Sequence, residues 1–327
     1  MSNEPRPIIL GGYGEAGQHL AKCLAQVGAT DVTLAGRSPG KARVAADKLA
    51  SETGATFSVR EVDLGQPEQV ERSAEGHNIV LVACELPFVA IAPLIRSCVN
   101  AGADYVDIVP QSGKASVFSS YHWTIAAGKS RFVLEAGADP GLPNWLARMA
   151  VEGMDSVERL VLFGRYRSRD IGWDGAGDIL RGAGGQGWIY SGHWRRARPW
   201  DLRMPLFGAG LHRSLAVPIY LEDLGPLPEE LGVSELRFYH AGLNPVTDAL
   251  MLLESAGVLS WCSFTTRQRL FHWALKRFTR APSGLSLSAE AWQDGRCERI
   301  SLCHDDLYKA TALPGVTIAR FLHEDDS

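Results

Sequence analysis

A glycine-rich turn near the start of the chain constrains the fold more than any other feature. Gly12-Tyr13-Gly14-Glu15-Ala16-Gly17 fits the pattern G-x-G-x-x-G, directly after an apolar run and directly before a stretch with helical spacing. In this context Gly12 makes the tight turn, Gly14 lets a pyrophosphate approach the backbone, and Gly17 lets the helix pack against the strand. The turn therefore predicts a strand–turn–helix unit whose helix N-terminus binds phosphate.

The chain contains a second match to the same pattern, at Gly182-Ala183-Gly184-Gly185-Gln186-Gly187. This match follows a helical stretch and precedes the apparent strand Trp188-Ile189-Tyr190, which is the reverse of the order that phosphate binding requires. We therefore interpret the second match as a flexible loop.

The first half of the chain alternates short apolar, β-branched runs with amphipathic stretches. This alternation is typical of repeated βαβ units and a parallel sheet, and six such runs are the number in a full dinucleotide-binding domain. The predicted strands are Ile8–Leu10, Val32–Ala35, Phe57–Val62, Ile79–Ala83, Tyr105–Ile108 and Phe132–Leu134. The predicted helices include Pro39–Leu49, Phe88–Val99 and Phe118–Ala127.

Beyond Asn144 the pattern changes to longer runs in which apolar and polar residues alternate. Val157–Tyr166 is one such run, and Leu285–Trp292 and Arg296–Cys303 flank an Asp294-Gly295 turn, a strong signal for a β-hairpin. The fold class is therefore α/β, a Rossmann doubly wound parallel sheet followed by a second α+β domain with a mainly antiparallel sheet.

Charge and composition limit the kinds of partner. The chain has 33 Lys and Arg against 37 Asp and Glu, a net charge of -4, so no overall positive field favours nucleic acid. The longest apolar region, Ile79–Ile95, is interrupted by Glu85, Pro87 and Pro93, so we expect no membrane partner. A small-molecule substrate is the expected partner.

The cysteines and the first residues indicate the compartment. The six cysteines are scattered without close pairs, as in proteins whose thiols stay reduced, and Met1–Pro7 lacks the apolar core of a signal peptide. We expect a cytoplasmic protein. The cysteines are Cys23, Cys84, Cys98, Cys262, Cys297 and Cys303.

Cofactor choice is indicated at the end of the second predicted strand, where an NAD-binding protein carries an acidic residue for the ribose 2′-hydroxyl. Here the strand ends in Ala35-Gly36-Arg37-Ser38, with Lys41 one turn further, while Asp31 lies at the opposite end. Arg37 and Ser38 can bind a 2′-phosphate by charge and hydrogen bonding, and Lys41 adds positive charge. We favour NADP; the alternative is that Arg37 and Lys41 are ordinary solvated residues at a helix start.

These residues together resemble the saccharopine dehydrogenase-like NAD(P)-dependent oxidoreductases. The resemblance is dense over residues 7 to 148 and thin beyond them. It rests on Gly11–Gly17, Leu34–Ser38 with Lys41, Val62–Leu64, Ala101–Asp107, Gly137–Asn144 and, near the C-terminus, Tyr308–Ala312.

The resemblance implies a two-domain reductase with its substrate in the cleft between the domains. It implies an NADP-binding Rossmann domain at 1–148, a substrate and dimerisation domain at 149–304, and a C-terminal segment at 305–327 that packs back on the first domain. The antiparallel second sheet, rather than the resemblance, suggests a homodimer. At the matching positions Gly12, Tyr13, Gly14, Glu15 and Ala16 would hold the pyrophosphate, Arg37 and Ser38 the adenosine phosphate, Asp63 and Leu64 the adenine, and Ala83 and Cys84 the nicotinamide half.

The chemistry of a doubly wound sheet takes place beyond the carboxyl ends of its strands. Cys84–Pro87, Asp107–Gln111 and Ala138–Gly141 should surround one crevice there. In amine-forming members of the family the Asp-Pro-Gly turn faces the substrate, so Asp139 is the first candidate catalytic residue, since a carboxylate stabilises an iminium. Alternatively, Asp139 caps the helix that opens near Pro143. Asp107 either contacts substrate or makes strand-end hydrogen bonds.

Three functions remain open. The family mostly reduces imines or oxidises amines, and we favour imine reduction by NADPH. In some lysine-pathway members a tyrosine contacts the substrate where this chain has Val109-Pro110-Gln111-Ser112. This difference argues against saccharopine itself as the substrate. A carbonyl or enoyl reductase would need a proton donor. A sensor that binds NADP without turnover is the alternative outside enzymes. The candidate proton donors are Tyr105, Lys114, Tyr190 and His193.

Several other features have two interpretations. Arg165–Arg169 either binds an anionic group or ends a strand in solvent, and a tryptophan set either lines a substrate pocket or fills a core. The basic, aromatic stretch Trp261–Arg280 is either an ordinary packed helix with a solvated face or a surface for a membrane or acidic partner. Cys303–Asp306 lacks the spacing of a zinc site, so we expect no metal. The tryptophans are Trp173, Trp188, Trp194 and Trp200.

Overall fold

The chain forms two compact units. The computed structural model describes residues 5–184, 188–198, 201–203, 205, 215–241, 243–281 and 283–325. Unit 1 comprises residues 1–141 and 308–327, and unit 2 comprises residues 142–307. Trp200 and Gly185-Gln186-Gly187 lie outside the described residues, whereas Gly182–Gly184 end a helix.

Unit 1 is built on a six-stranded sheet in which every pair is parallel and the order is 3-2-1-4-5-6. This is the order of a dinucleotide-binding Rossmann fold, so the predicted parallel sheet is confirmed. The strands are Pro7–Leu10 (β1), Asp31–Gly36 (β2), Thr56–Glu61 (β3), Ile79–Val82 (β4), Asp104–Asp107 (β5) and Phe132–Val133 (β6).

Two apolar cores cover the two faces of this sheet. Ile9 of β1 packs into one core, while its neighbours Ile8 and Leu10 pack into the other, as alternation along a strand requires. The predicted helix 118–127 is two short helices that meet at Tyr121. The helices are Glu15–Gln26 (α1), Pro39–Thr53 (α2), Pro67–Glu71 (α3), Phe88–Ala101 (α4), Lys114–Ser120 (α5) and His122–Ala126 (α6).

Unit 2 contains a mixed sheet in the order 13-12-7-11-8-9, with β10 paired to β11. All pairs are antiparallel except β7 with β11, so the predicted, mainly antiparallel second sheet is confirmed. The strands are Arg159–Arg167 (β7), Trp188–Ser191 (β8), Trp194–Arg196 (β9), Ala216–Pro218 (β10), Glu235–Ala241 (β11), Gly284–Gln293 (β12) and Arg296–His304 (β13).

The helices of unit 2 form two groups. α7 packs on β7, β12 and β13, so it belongs to unit 2 and the unit boundary falls at Gly141. α8, α10 and α11 pack on one another. The helices are Leu142–Val151 (α7), Trp173–Gly184 (α8), Leu227–Leu231 (α9), Pro245–Ser255 (α10) and Phe264–Phe278 (α11), with a 3-10 turn at Glu222–Leu224.

The C-terminal helix α12 (Leu307–Asp325) returns to unit 1. Its residues Ala312 and Val316 join the core that contains Ile9 of β1 and Leu20 of α1. Arg131 fixes the end of the helix, because its guanidinium donates to the Leu322 carbonyl and pairs with Asp104 of β5 at 2.7 Å.

Candidate functional site

The turn after β1 has a backbone that only glycine permits. The amides of Gly11 and Gly12 both donate to the Ala35 carbonyl, at 2.9 and 3.1 Å. A Cβ on Gly12 would lie 2.9 Å from Ile9 O, and one on Gly17 would lie 2.3 Å from Gly11 O. The tight turn predicted at Gly12 and the close helix packing predicted at Gly17 therefore correspond to close backbone contacts.

The N-terminus of α1 presents unused backbone donors. Gly14 is the N-cap residue and provides no side-chain cap, and the first helical hydrogen bond runs from Gln18 N to Gly14 O at 2.9 Å. The amides of Glu15, Ala16 and Gly17 precede this bond and are not used within the helix. Three amides and the positive end of the helix dipole fit a bound diphosphate.

The carboxyl end of β2 lies beside this turn. The Tyr13 ring covers Gly36 so closely that a Cβ on Gly36 would lie 2.4 Å from Tyr13 Cε1. Arg37 and Lys41 are exposed, and Ser38 is the N-cap residue of α2. The edge therefore offers two cations and a hydroxyl, which suits a phosphate monoester. The sequence analysis did not identify Gly36 as a site residue. Its position just before Arg37 was a signal that another group approaches the backbone closely there.

The ends of β3 and β4 complete the nucleotide edge. Val62 N donates to Gly36 O at 3.2 Å, which brings Asp63 next to β2, where its carboxylate accepts from Gly65 N at 3.0 Å. Leu64 packs against the apolar core.

At the end of β4, Ala83 N donates to Leu10 O at 2.9 Å, which keeps this strand end beside the glycine turn. A Cβ on Gly11, whose φ is 80°, would lie 2.8 Å from Cys84 Cβ. Burial raises the pKa of the Cys84 thiol to about 12, so it is a neutral group at this edge.

Asp107, at the end of β5, is the centre of a buried polar network. It is 1% exposed, and its carboxylate accepts from Tyr105 Oη at 2.8 Å, Lys114 Nζ at 2.6 Å and Glu135 N at 3.0 Å. Burial and Asp107 raise the pKa of Tyr105 well above its usual value, so the phenol stays protonated and donates. These contacts support the strand-end role of Asp107 rather than substrate contact.

Lys114 joins three segments at the same edge. Its Nζ donates to Asp107 and to Val109 O, both at 2.6 Å, and lies 3.8 Å from Glu135 Oε1. The Gln111 side chain similarly makes two hydrogen bonds to the backbone of Leu86, accepting from its amide at 3.1 Å and donating to its carbonyl at 2.7 Å. The loops after β4, β5 and β6 are therefore held by side chains whose pairing the sequence did not reveal.

The turn that carries Asp139 is tightly packed. A Cβ on Gly137 would lie 2.6 Å from Ile108 O, and one on Gly141, whose φ is 114°, would lie 2.4 Å from Glu135 O. Gly137 N donates to Pro140 O at 3.0 Å, and the Asp139–Pro140 peptide bond is cis. Asp139 thus has a fixed position on a turn at the carboxyl edge of the sheet.

The candidates in unit 2 lie in separate places. Trp194 contacts Tyr190 and Tyr220, and Trp188 also contacts Tyr220, with ring centroids 5.2 to 6.5 Å apart. Trp173 lies elsewhere, against His272 of α11. His193 is exposed, and Arg165 is buried. Within the described part of the chain, no three His, Cys, Asp or Glu side chains gather as metal ligands.

The comparison with protein families decides what the first unit is. Residues 8–130 match the family model of the saccharopine dehydrogenase NADP-binding domain. Unit 1 is therefore similar in sequence to the NADP-binding domain of saccharopine dehydrogenase over these residues. The resemblance stated from the sequence is confirmed, and so is NADP as the cofactor of this domain family.

A curated relative shares the NADP-binding domain but is much longer. It is the "Trans-acting enoyl reductase" of Mycobacterium ulcerans (strain Agy99), 29% identical over 135 residues, which are 40% of this chain and 32% of that protein. The chain matches about a third of the length of this relative.

Solved structures share the fold over both units. Apo saccharopine dehydrogenase (L-Glu forming) from Saccharomyces cerevisiae has a TM-score of 0.69 and 12% identity, covering 98% of this chain and 92% of that one. Amine dehydrogenase from Mycobacterium smegmatis has a TM-score of 0.53 and 13% identity, with the same coverage. The NADP-binding domain and unit 2 thus have the architecture of a known dehydrogenase fold.

Among the described residues, no helix has the length and apolar character needed to cross a membrane.

Proposed function

We propose that this chain is an NADPH-dependent oxidoreductase that reduces an imine formed from an amine and a carbonyl, or catalyses the reverse amine oxidation. One observation carries the proposal: the glycine turn after β1 and the tightly packed Asp139 turn lie on the same edge of one parallel sheet. Ligands of doubly wound sheets bind at that edge. The amine dehydrogenase that shares this fold acts on an amine by its name, which agrees with the proposal.

The residues that would hold the cofactor follow the backbone contacts. Gly12, Tyr13, Gly14, Glu15 and Ala16 would surround the pyrophosphate at the free amides of α1. Arg37, Ser38 and Lys41 would bind the 2′-phosphate, Asp63 and Leu64 would lie by the adenine, and Ala83 and Cys84 along the nicotinamide half. NADPH supplies the hydride.

Asp139 would bind the substrate and set its charge. A carboxylate stabilises a neighbouring cation, so Asp139 favours the iminium over the neutral imine and binds the ammonium of the product. An iminium arrives already protonated, and its reduction needs no acid from the protein. Asp107 and Lys114 would support this step only by fixing the Glu135–Gly141 turn.

Reduction of a carbonyl or enoyl group is the second candidate, favoured by the name of the mycobacterial relative. That reaction needs a proton donor within reach of the product. Tyr105 and Lys114 are each at most 1% exposed, and both already donate to Asp107. The burial of these two groups supports reduction of an imine, because that reaction needs neither of them as a proton donor.

Turnover with defined substrates tests the proposal. Purified protein is mixed with NADPH and with amine plus aldehyde or keto-acid pairs, with the carbonyls alone, or with enoyl thioesters, and cofactor absorbance is followed. Oxidation that requires both amine and carbonyl is the expected result. Oxidation with carbonyls or enoyls alone would overturn imine reduction, and tight NADPH binding without turnover on any substrate would indicate a sensor.

Two pairs of variants test the residues. Asp139→Asn should lower kcat at least about tenfold and leave NADPH affinity unchanged, whereas Asp47→Asn, at an exposed site on α2, should change neither.

Arg37→Asp should lower the affinity for NADPH at least about tenfold more than the affinity for NADH, and Arg43→Asp, at an exposed site on α2, is its control. Equal loss for both cofactors would contradict the proposed phosphate contact.

A further inference from the structure

The outer face of α11 exposes large apolar side chains. Trp273 is 54% exposed, Leu270 43% and Phe278 38%, and the Trp273 and Phe278 rings pack edge to face at 5.4 Å. Leu270 precedes Trp273 by one turn, so the two share a stripe along the helix. Buried Phe271, Ala274 and Leu275 form the opposite, inner face. The helix therefore has a second apolar surface that its own unit does not bury.

The same outer face is strongly basic. Arg269 and Lys276 flank Trp273 one turn before and one turn after, and Arg277 follows one residue later, all exposed. No ion pair reaches these three side chains among the described residues. No acidic residue occurs anywhere from Ser255 to Ala289, although the chain as a whole has a net charge of -4. Within the described part of unit 2, no ion pair therefore compensates the positive charge of this helix face.

A shallow groove of about 450 Å³ runs beside Trp273. Trp173 at the start of α8 forms its other wall and contacts His272 edge to face at 5.7 Å. The cations Arg269, Lys276 and Arg277 lie around its rim. We call this surface, comprising Trp173 and the exposed residues 269–278 of α11, the aromatic–basic face.

The combination of residues selects the kind of partner. A second copy of the chain, related by a two-fold axis through this face, would place its cations against identical cations, which is unfavourable. An acidic macromolecule would pair with the charges but has no general need for exposed Trp, Leu and Phe. The interface of an anionic bilayer satisfies both sets, because Trp and Phe enter the boundary between headgroups and acyl chains while Lys and Arg bind lipid phosphates.

We propose that the aromatic–basic face docks on the surface of an anionic phospholipid bilayer. This contact is peripheral, so it is compatible with the lack of a membrane-crossing helix among the described residues. It differs from the sequence expectation of no membrane partner, which rested on the search for a spanning segment. The proposal depends on unit 2 alone and stands independently of the proposed reaction.

Vesicle flotation of the intact protein tests the proposal. Phosphatidylcholine vesicles with and without phosphatidylglycerol are compared at low and at high salt. The protein should float with the anionic vesicles at low salt, and much less with either vesicle type at high salt, because screening weakens the attraction to lipid phosphates. Absence of flotation with anionic vesicles would overturn the proposal.

Matched variants assign the contact to this face. Trp273→Ala with Leu270→Ala, and separately Lys276→Glu with Arg277→Glu, should each lower the vesicle partition coefficient at least about tenfold. Trp123→Ala removes a tryptophan of unit 1 that is even more exposed, at 78%, and should have no effect, as should Arg296→Glu at the exposed β-hairpin. Equal loss in the controls, or no loss in the test variants, would contradict the proposal.

Two further measurements separate other partners. In sedimentation without lipid, the wild type should show no self-association. Self-association of the wild type that is lost in Trp273→Ala would instead assign the face to a second copy of the chain and would overturn the proposal. NADPH affinity of all variants should equal that of the wild type, so failure of docking and failure of the proposed reaction are distinguishable.

Discussion

Each of the two sheets buries a titratable residue at the end of an inner strand, and the surroundings of that residue differ between the two units. In unit 1, Asp107 is surrounded by an ammonium, a phenol and a backbone amide. In unit 2, His240 stacks on Tyr166 at 4.5 Å, and burial lowers its pKa to about 4. Unit 1 pairs the buried carboxylate of Asp107 with a cation, whereas unit 2 keeps the buried imidazole of His240 neutral. The stability of the two units should therefore respond differently to mutation and to pH.

The two units also treat helix starts differently. α1 begins at Gly14 without a side-chain cap, so its first amides remain for a ligand. α10 begins at Asn244, whose side chain accepts from Val246 N and Thr247 N at 3.0 and 2.9 Å. A helix start that binds a ligand has to leave its amides unpaired, while a purely structural one gains stability by pairing them.

The largest expected effect comes from removing the compensating charge in unit 1. Lys114→Met should lower the free energy of unfolding of unit 1 by about 3–5 kcal/mol, because it leaves the buried Asp107 carboxylate without its cation. Hydrogen exchange of the β5 amides measures this. Lys22→Met breaks an exposed pair with Glu52 and should cost less than about 1 kcal/mol. Similar losses for both would show that the buried charges are not coupled.

A pH-dependent effect is expected next, in unit 2. The unfolded chain protonates His240 near pH 6.5 and the folded chain only near pH 4. Between these values the unfolded state binds more protons, so the free energy of unfolding falls as the pH falls, by about 3 kcal/mol at most.

His240→Phe should remove this dependence and keep the stack on Tyr166. All tryptophans except Trp123 lie in unit 2, so denaturation followed by tryptophan fluorescence between pH 7 and 4 (roughly the titration range of histidine) reports on this unit. His122→Phe, at an exposed site of unit 1, is the control. Equal slopes for the wild type and His240→Phe would refute the assignment.

A smaller effect is expected at the open start of α1. Gly17→Ala forces Gly11 O away from a new Cβ that would lie 2.3 Å from it, so unit 1 should lose about 1–3 kcal/mol and NADPH affinity should fall at least about tenfold. Calorimetric titration measures the affinity. Gly172→Ala meets nothing within 4 Å in the described part of the chain and should leave NADPH binding unchanged.

The smallest effect is expected at the capped start of α10. Asn244→Ala removes the capping hydrogen bonds and two further ones, to Thr279 Oγ1 at 3.0 Å and to Ala274 O at 3.5 Å, so unit 2 should lose about 1–2 kcal/mol. Ser263→Ala removes a cap of α11 with a single amide contact, at 3.2 Å, and should cost about half as much. Fluorescence-monitored denaturation compares the two, and a larger loss for Ser263→Ala would contradict this ranking.

The features that the sequence predicted correctly depend on local patterns. The six strands of unit 1 follow from apolar runs such as Ile79–Val82, and the tight turn after β1 follows from glycines whose Cβ would meet the backbone. Pairings between distant residues were not predictable. The parallel pairing of β7 with β11 joins segments far apart in the chain. Even the contact of Lys114 with Asp107, seven residues away, depends on how α5 returns to the end of β5.

Side-chain exposure was the least predictable property. The spacing of Trp261–Arg280 suited a packed helix, and α11 does bury Phe271 and Leu275; yet Trp273 lies outside. Helical periodicity distinguishes the two faces of a helix but does not indicate how much of each face the neighbouring helices cover. Similarly, the sequence left open whether the tryptophans line a substrate pocket or fill a core; in the structure Trp173 contacts His272, whereas Trp188 and Trp194 contact Tyr220.

The return of α12 to unit 1 has a consequence for biosynthesis. A ribosome has to translate all of unit 2 before it makes Ala312 and Val316, which belong to the core around β1 and α1. A nascent chain that ends before Tyr308 therefore holds an unfinished first unit whose apolar residues attract chaperones, while the second unit is free to fold. Translational pausing in the codons for residues 142–307 would prolong this state, so codon choice there should influence the yield of active protein.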